Sequence, residues 1–257
     1  MLNPAEEFRH RLQPMTDSSW TSRTRLLIGD EAADRLQKSH VLIVGLGGVG
    51  SYAAEFICRA GVGRMTIADG DVVDPSNRNR QLPALANTHG LYKTDVMRER
   101  LQQINPDVQL IALREFMTPV RVERLLLTKY DYIIDAIDSI TPKIYLLVNA
   151  YERGQRIVSS MGAGGRLDPT QISVADISET HNCRLARYVR KRLQRKGIRT
   201  GIKAVFSPEG ALTDSLMFTD GTNFKKSAFG TISYVPAAFG GVCASVVVRD
   251  LISAPLS

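Results

Sequence analysis

Cysteine is scarce in this chain: three among 257 residues, Cys58, Cys183 and Cys243, far apart in sequence. No pairing of them has the short spacing of a tetrahedral zinc site, so zinc is not expected. Few, unpaired thiols suit a reducing cytoplasm. Cys58 and Cys243 lie in apolar stretches and are expected in the core. Cys183, between His181-Asn182 and Arg184, is the one in a cationic setting of the kind that lowers a thiol pKa. Also lacking are a low-complexity linker and an internal repeat. Residues 1–20 are mixed polar and charged, without the apolar core of a signal peptide, and are expected to form a flexible tail. Ile232 to Val248 contains no charged residue, and at about 17 residues it is at the lower limit for crossing a bilayer. Its Pro236 and Gly240-Gly241 fit a helix packed in the core or across a dimer interface better than a membrane span. Hydrophobic residues make up 44%, ordinary for a globular protein with a full core.

What is present begins with a glycine turn. Val41-Leu42-Ile43-Val44 is a short apolar run that reads as a buried parallel strand, and Gly45-Leu46-Gly47-Gly48-Val49-Gly50 leads directly from it into a helical pattern starting near Val49. Glycines at Gly45, Gly47, Gly48 and Gly50 let the backbone approach a phosphate, and amides at the new helix's N-terminus suit an anion. A second strand, Met65 to Ala68, delivers Asp69 about 20 residues on, where a carboxylate accepts hydrogen bonds from ribose hydroxyls. These features specify a nucleotide without saying which.

Ser76-Asn77-Arg78-Asn79-Arg80-Gln81 narrows the choice. A hydride-transfer enzyme leaves its pyrophosphate intact and has no use for Asn77, Arg80 and Gln81 on one edge. An enzyme that cleaves ATP must meet growing phosphate charge, and a guanidinium such as Arg80 contacts two phosphate oxygens at once. Lys93 opens a helix-like stretch and is a natural second phosphate contact. Tyr132-Ile133-Ile134 reads as another buried strand running into Asp135-Ala136-Ile137-Asp138. Ligands in an open parallel sheet sit beyond the carboxyl ends of the strands, so Asp138 should face the same crevice. A carboxylate beside a polyphosphate repels it unless a cation intervenes; magnesium held jointly by Asp138 and the phosphates is expected.

This pattern resembles the adenylating family that includes the ubiquitin-activating enzymes and the bacterial activators of sulfur-carrier proteins. The resemblance implies ATP and magnesium as cofactors, with Asp69 on the ribose and Asp71 beside it. It also implies that Asn77, Arg80, Gln81 and Lys93 surround the phosphates and that Asp138 takes the metal. Ser22 to Gly29 looks like the family's arginine segment, which reaches into the partner subunit's ATP site. It implies a homodimer and, with Arg25 preferred to Arg23, a catalytic arginine donated across it. Ser160-Met161-Gly162-Ala163-Gly164-Gly165-Arg166-Leu167-Asp168-Pro169-Thr170, followed by Ile172 to Ile177, is similar to the branch whose members close a threonylcarbamoyl group on a tRNA adenosine beside the anticodon into a cyclic form. The resemblance runs roughly from Arg23 to the C-terminus and is strongest from Val41 to Ile177. It implies that the tRNA-linked carboxylate is activated with ATP, releasing pyrophosphate, and that a neighbouring urea-like group then expels AMP. Sulfur-carrier activators commonly hold zinc between two Cys-x-x-Cys pairs, and protein-tag activators form a thioester; a cyclising enzyme needs neither.

Charge offers an independent argument about the partner. Nine of the 33 basic residues lie between Arg184 and Lys203, where there is no Asp or Glu. The remaining 24 face 26 acidic residues, so this one segment accounts for the net charge of +7. Leu185, Val189 and Leu193 form a stripe that would dock a helix on the body and turn its arginines outward. A solvated face or an acidic protein partner such as a sulfur carrier is compatible with this. A nucleic-acid backbone fits the density better, with Arg187, Arg190, Lys191, Arg195, Lys196 and Arg199 as tRNA contacts.

The remaining pattern alternates strand and helix. Val96, Met97, Leu101 and Ile104 form one helix face, ending at Asn105-Pro106. Val108 to Leu113 reads as a strand. Thr118-Pro119 opens a helix with Val122, Leu125 and Leu126 inside. Lys143 to Tyr151 forms another helix and Arg156 to Ser159 another strand. The expected fold is α/β, a doubly wound, mostly parallel Rossmann-like sheet with a smaller basic C-terminal region. The expected division is a tail to residue 20, an ATP-binding adenylating domain over 21–165, and a C-terminal region over 166–257 carrying the basic helix and an apolar terminal helix. Gly221 to Gly230, with Lys225 and Lys226, is expected as a loop near the active site. Three readings stand: a cyclodehydratase acting on tRNA, an adenylyltransferase for a sulfur-carrier protein, and a nucleotide-binding regulatory module without catalysis. Keeping Asp138, Arg80 and Lys93 together argues against the last.

Overall fold

The computed structural model describes residues 19–218 and 227–253. Most of the expected tail, and Lys225 and Lys226 with the loop around them, lie outside the described residues. Two short helices, α1 (Ser22–Ile28) and α2 (Asp30–Lys38), precede β1 (His40–Val44), α3 (Gly50–Arg59), β2 (Arg64–Ala68) and α4 (Lys93–Ile104). There follow β3 (Gln109–Leu113), α5 (Pro119–Leu125), β4 (Tyr132–Asp135), α6 (Ile140–Glu152) and β5 (Ile157–Ser160). The chain continues through β6 (Ser173–Asp176), α7 (Arg184–Gln194), β7 (Lys203–Phe206), the hairpin strands β8 (Leu216–Phe218) and β9 (Ser227–Phe229), and α8 (Tyr234–Ser253).

One sheet runs in the order β3-β2-β1-β4-β5-β7-β6. All its pairings are parallel except β6 with β7. This is the expected doubly wound arrangement, and the direction of winding reverses between β1 and β4. Successive strand residues point to opposite faces. Val41 and Ile43 accordingly enter a core shared with α3, α4 and α8, whereas Leu42 and Val44 enter one shared with α5, α6 and α7. Both faces of β1 are covered, which is why its sequence is an unbroken apolar run. Cys58 and Cys243 belong to the first core and Cys183 to the second, all three buried. At α5 the Thr118 side chain accepts the Arg121 N–H at 3.3 Å with Pro119 at the first position, as the Thr-Pro pair led one to expect.

The sheet does not stop at the boundary expected near residue 165. β7 pairs with β5, and α8 packs on α3, β4 and β5, so residues beyond 166 complete a layer begun by those before it. β6 and β7 escape the sequence pattern because β6 is an edge strand with Ser173 and Val174 exposed, and β7 begins on the exposed Lys203 of the basic segment. The uncharged run near the C-terminus is α8. It is the one helix among the described residues long and apolar enough to cross a membrane, and half of its most apolar window is buried inside the protein. Gly240 allows it to lie on α3: a Cβ there would stand 2.6 Å from the Val49 carbonyl oxygen.

Candidate functional site

The glycine turn lies where the winding reverses, and its glycines divide the work. Gly45 has φ +90°, a left-handed conformation that disfavours side chains, and a Cβ on it would meet the Ala136 carbonyl oxygen at 2.9 Å. A Cβ on Gly50 would stand 1.8 Å from Gly45 O, so the tight entry into α3 excludes any side chain. Gly48 is pressed against Pro236 of α8 and Arg80. Gly47 differs: the nearest atom to a Cβ there would be Gln81 Nε2 at 4.0 Å. Three glycines shape the turn, and the fourth leaves an open face.

Asp69 follows β2 and organises the floor. Its Oδ2 accepts the Leu46 N–H at 2.6 Å and its Oδ1 the Asp71 N–H at 2.7 Å. Burial pushes its pKa up, opposed by Lys93 and by these two amides. Each carboxylate oxygen keeps a further lone pair for a ligand hydroxyl. Lys93, the first residue of α4, is buried, and its Nζ meets Asp71 Oδ2 at 3.1 Å while its N–H donates to the Asp71 carbonyl.

The polar hexapeptide forms a turn on the same edge. Asp74 caps it by accepting from Ser76, and the buried Asn77 side chain accepts the Asp74 N–H at 3.2 Å, which sets the direction of the residues that follow. Arg80 is half-buried, with Nη1 donating to Ser76 O at 2.9 Å and Asn79 Oδ1 at 2.8 Å. Burial lowers its pKa, and the Asp138 carboxylate, which is near enough to act on it, works in the opposite direction. Gln81 Oε1 is buried without a hydrogen-bond donor, which costs free energy unless a ligand supplies one. Asp138 sits exposed in the loop after β4. Among the described residues no three His, Cys, Asp or Glu side chains gather to hold a metal unaided. One carboxylate completed by phosphate oxygens is the arrangement magnesium commonly accepts.

Two of the expected groups stand elsewhere. Arg25 is not on an extended arm; it lies on α1 and pairs with Asp30 at 3.0 Å and Asp34 at 2.9 Å of the same chain. On α7, Ala186, Val189 and Leu193 are buried, Leu185 is partly so, and Arg187 and Lys191 are exposed, as are Arg195, Lys196 and Arg199 in the turn and loop beyond its end. Arg190 departs from that set. Its Nη1 donates to the Thr180 carbonyl at 2.5 Å and to the Thr180 hydroxyl, so it fastens the helix rather than facing outward. Tyr188, exposed between Arg184 and Arg187, has both guanidinium groups over its ring at 5.9 and 5.5 Å.

One polar network near the site was not anticipated. Lys143 Nζ contacts Asp135 Oδ2 at 2.6 Å, Ser159 Oγ donates to the same oxygen at 2.6 Å, and both charged side chains are fully buried. Asp135 Oδ1 accepts the Ile137 N–H at 3.1 Å, bracing the loop that carries Asp138. Its signal is the acid ending the apolar run at Tyr132-Ile133-Ile134, with a lysine among apolar residues one helix later.

A doubly wound sheet with a glycine turn and a buried acid at its switch point defines a nucleotide-binding α/β protein. The chain belongs to the ThiF family, whose model matches residues 21–255. A tRNA threonylcarbamoyladenosine dehydratase from Bacillus subtilis is 40% identical over 238 residues, covering 90% of this chain and 94% of the relative. The crystal structure of the Escherichia coli tRNA N6-threonylcarbamoyladenosine dehydratase in complex with ATP superposes with a TM-score of 0.82 at 36% identity, covering 93% of this chain and 98% of that one. The same enzyme in complex with AMP matches with a TM-score of 0.82 and 36% identity over 94% and 98%.

Proposed function

We propose that this chain is an ATP-dependent enzyme that closes the threonylcarbamoyl group on a tRNA adenosine into a cyclic form by way of an acyl adenylate. The observation that carries the reading is similarity to dehydratases over nine-tenths of both chains. The site supports it chemically. The open face of Gly47 and the amides at the start of α3 receive phosphate, and Asp69 receives the ribose. Arg80 and Lys93 offset the charge that grows on the phosphates, and the orphaned Gln81 Oε1 accepts a donor from the ligand. Asp138 holds magnesium, which when bound neutralises phosphate charge. The substrate carboxylate attacks the α-phosphorus and pyrophosphate leaves; the urea-like group then attacks the acyl carbon and AMP leaves. No thiol takes part, in keeping with the burial of all three cysteines.

The tRNA is held through phosphates by the exposed arginines and lysines around α7. Two copies form a homodimer in which Arg25 leaves Asp30 and Asp34 for the partner's ATP. The exposed Leu26 and Leu27 beside it, 73% and 84% accessible, supply apolar contact for that interface. The reaction belongs in a reducing cytoplasm. Incubation with ATP and tRNA bearing the open group, followed by mass analysis of the nucleosides, tests the reading.

A further inference from the structure

Arg166 has no part in the proposed chemistry, yet it is a buried charge that pairs with no carboxylate among the described residues. It is 4% exposed. Its Nη1 donates to the carbonyls of Gly162 at 2.5 Å and Gly164 at 3.2 Å, and its Nη2 to Ser207 O at 3.3 Å. None of these partners is a carboxylate. Its Nε is buried with no hydrogen-bond partner among the described residues. A guanidinium stays charged at any working pH, and burying that charge without a counterion costs several kcal/mol in general. Carbonyl dipoles offset part of that cost, and an anion arriving nearby would offset more.

β5 lies beside β4 with Ser159 opposite Asp135, so the Gly162–Gly165 loop is level with the loop that carries Asp138. Arg166 spans the C-terminal ends of β5 and β7, where ligands of a parallel sheet collect. The other side of the loop meets the beginning of the basic helix: a Cβ on Gly162 would stand 3.7 Å from Leu185 Cβ and 3.9 Å from both Cys183 Sγ and Arg166 Nη1. The loop thus follows the strand next to β4, touches the start of the helix assigned to tRNA at Gly162, and packs on Phe229 and Thr231 at Gly164.

We propose that Arg166 is a positioning residue for the substrate carboxylate: it holds the Gly162–Gly165 loop in place and lends it positive potential where the tRNA-borne acid meets ATP. This rests on the functional reading above. It acts through the loop, on a group that arrives only with tRNA, so it contributes to turnover and not to ATP affinity. Arg166→Gln should lower kcat for cyclisation about 10-fold or more, by comparison with single groups that stabilise developing charge, with ATP affinity within about twofold of wild type. The melting temperature should fall modestly, because the carbonyls of Gly162, Gly164 and Ser207 lose donors, while ATP affinity stays. Arg166→Lys, which keeps the charge and loses the fork, should recover part of the turnover. Unchanged turnover in Arg166→Gln would overturn the proposal, as would joint loss of turnover, ATP binding and melting temperature in both variants, which marks a strut. Wild-type turnover, measured alongside, tests the functional reading separately.

Discussion

Asp69 Oδ2 accepts the Leu46 N–H at 2.6 Å, tying the residue just after β2 to the turn that follows β1. A charge-assisted bond of this kind holds the glycine turn in one shape before any ligand arrives. A side chain placed to read the ribose therefore also braces the loop that receives the phosphates. Lys93 belongs to the same unit through Asp71, so the nucleotide site is an interlocked cluster more than a row of independent contacts.

The glycines separate folding from binding. Gly50→Ala sets a methyl 1.8 Å from Gly45 O and should abolish ATP binding together with stable folding of the turn. Gly47→Ala meets nothing closer than 4.0 Å and should leave the melting temperature unchanged while weakening ATP binding about 10-fold. Thermal unfolding and calorimetric titration with ATP check both.

For the phosphate groups the expectation concerns rate and partnership together. Arg80→Ala and Asp138→Asn should each reduce turnover about 100-fold or more. In a dimer completed by Arg25, mixing Arg25→Ala subunits with Asp138→Asn subunits restores part of the activity, since one site of each heterodimer keeps both groups. Heterodimers that form and stay as inactive as their parents confine Arg25 to its own chain, where Asp30 and Asp34 already hold it.

His40 gives the fold a pH dependence. It is buried, with Nε2 2.9 Å from Thr66 Oγ1 and its ring edge-on to Tyr130, and its pKa is lowered to about 4 by burial first and Arg64 second, with Asp131 opposing. Between pH 6.5 and about 4 the unfolded chain takes up a proton that the folded chain refuses. Stability should therefore fall as pH drops through that window, by on the order of 3 kcal/mol from this group. Urea unfolding at several pH values should show the slope in wild type and lose it in His40→Gln.

Neutralising Arg187, Lys191 and Arg195 together should lower the slope of log tRNA affinity against log salt by about two, at roughly 0.7 per single-strand phosphate contact. ATP affinity should not change. Arg190→Ala should instead lower stability by about 2 kcal/mol through its lost bonds to Thr180. A wild-type salt slope in the triple variant, with loss of an acidic protein partner, turns the segment into a protein-docking face.

Much of the fold could be read from local pattern. Val41 to Val44 and Tyr132 to Ile134 announce buried strands because residues covered on both faces must be apolar without interruption. The glycine turn, Asp69 and Asp138 could be placed because parallel topology brings strand ends to one edge. Other features depend on partners distant in sequence. Arg190 sits in a run of similar basic residues, and only the position of Thr180 turns it inward. Arg25 carries no mark in the sequence of its pairing with Asp30 and Asp34, and Arg166 none of its burial. β6 and β7 lack an uninterrupted apolar run, and they join the sheet through pairings distant in sequence from the rest of the pattern.

The most direct test follows both products at once. Purified protein, ATP and tRNA carrying the open threonylcarbamoyl group are combined, the nucleosides are weighed by mass spectrometry, and the nucleotides are separated. The expected result is loss of one water from the modified adenosine, with AMP and pyrophosphate appearing in equal amounts and in step with it. Release of ADP and phosphate, or an unchanged nucleoside mass while ATP is consumed, would contradict adenylation of the tRNA-borne carboxylate.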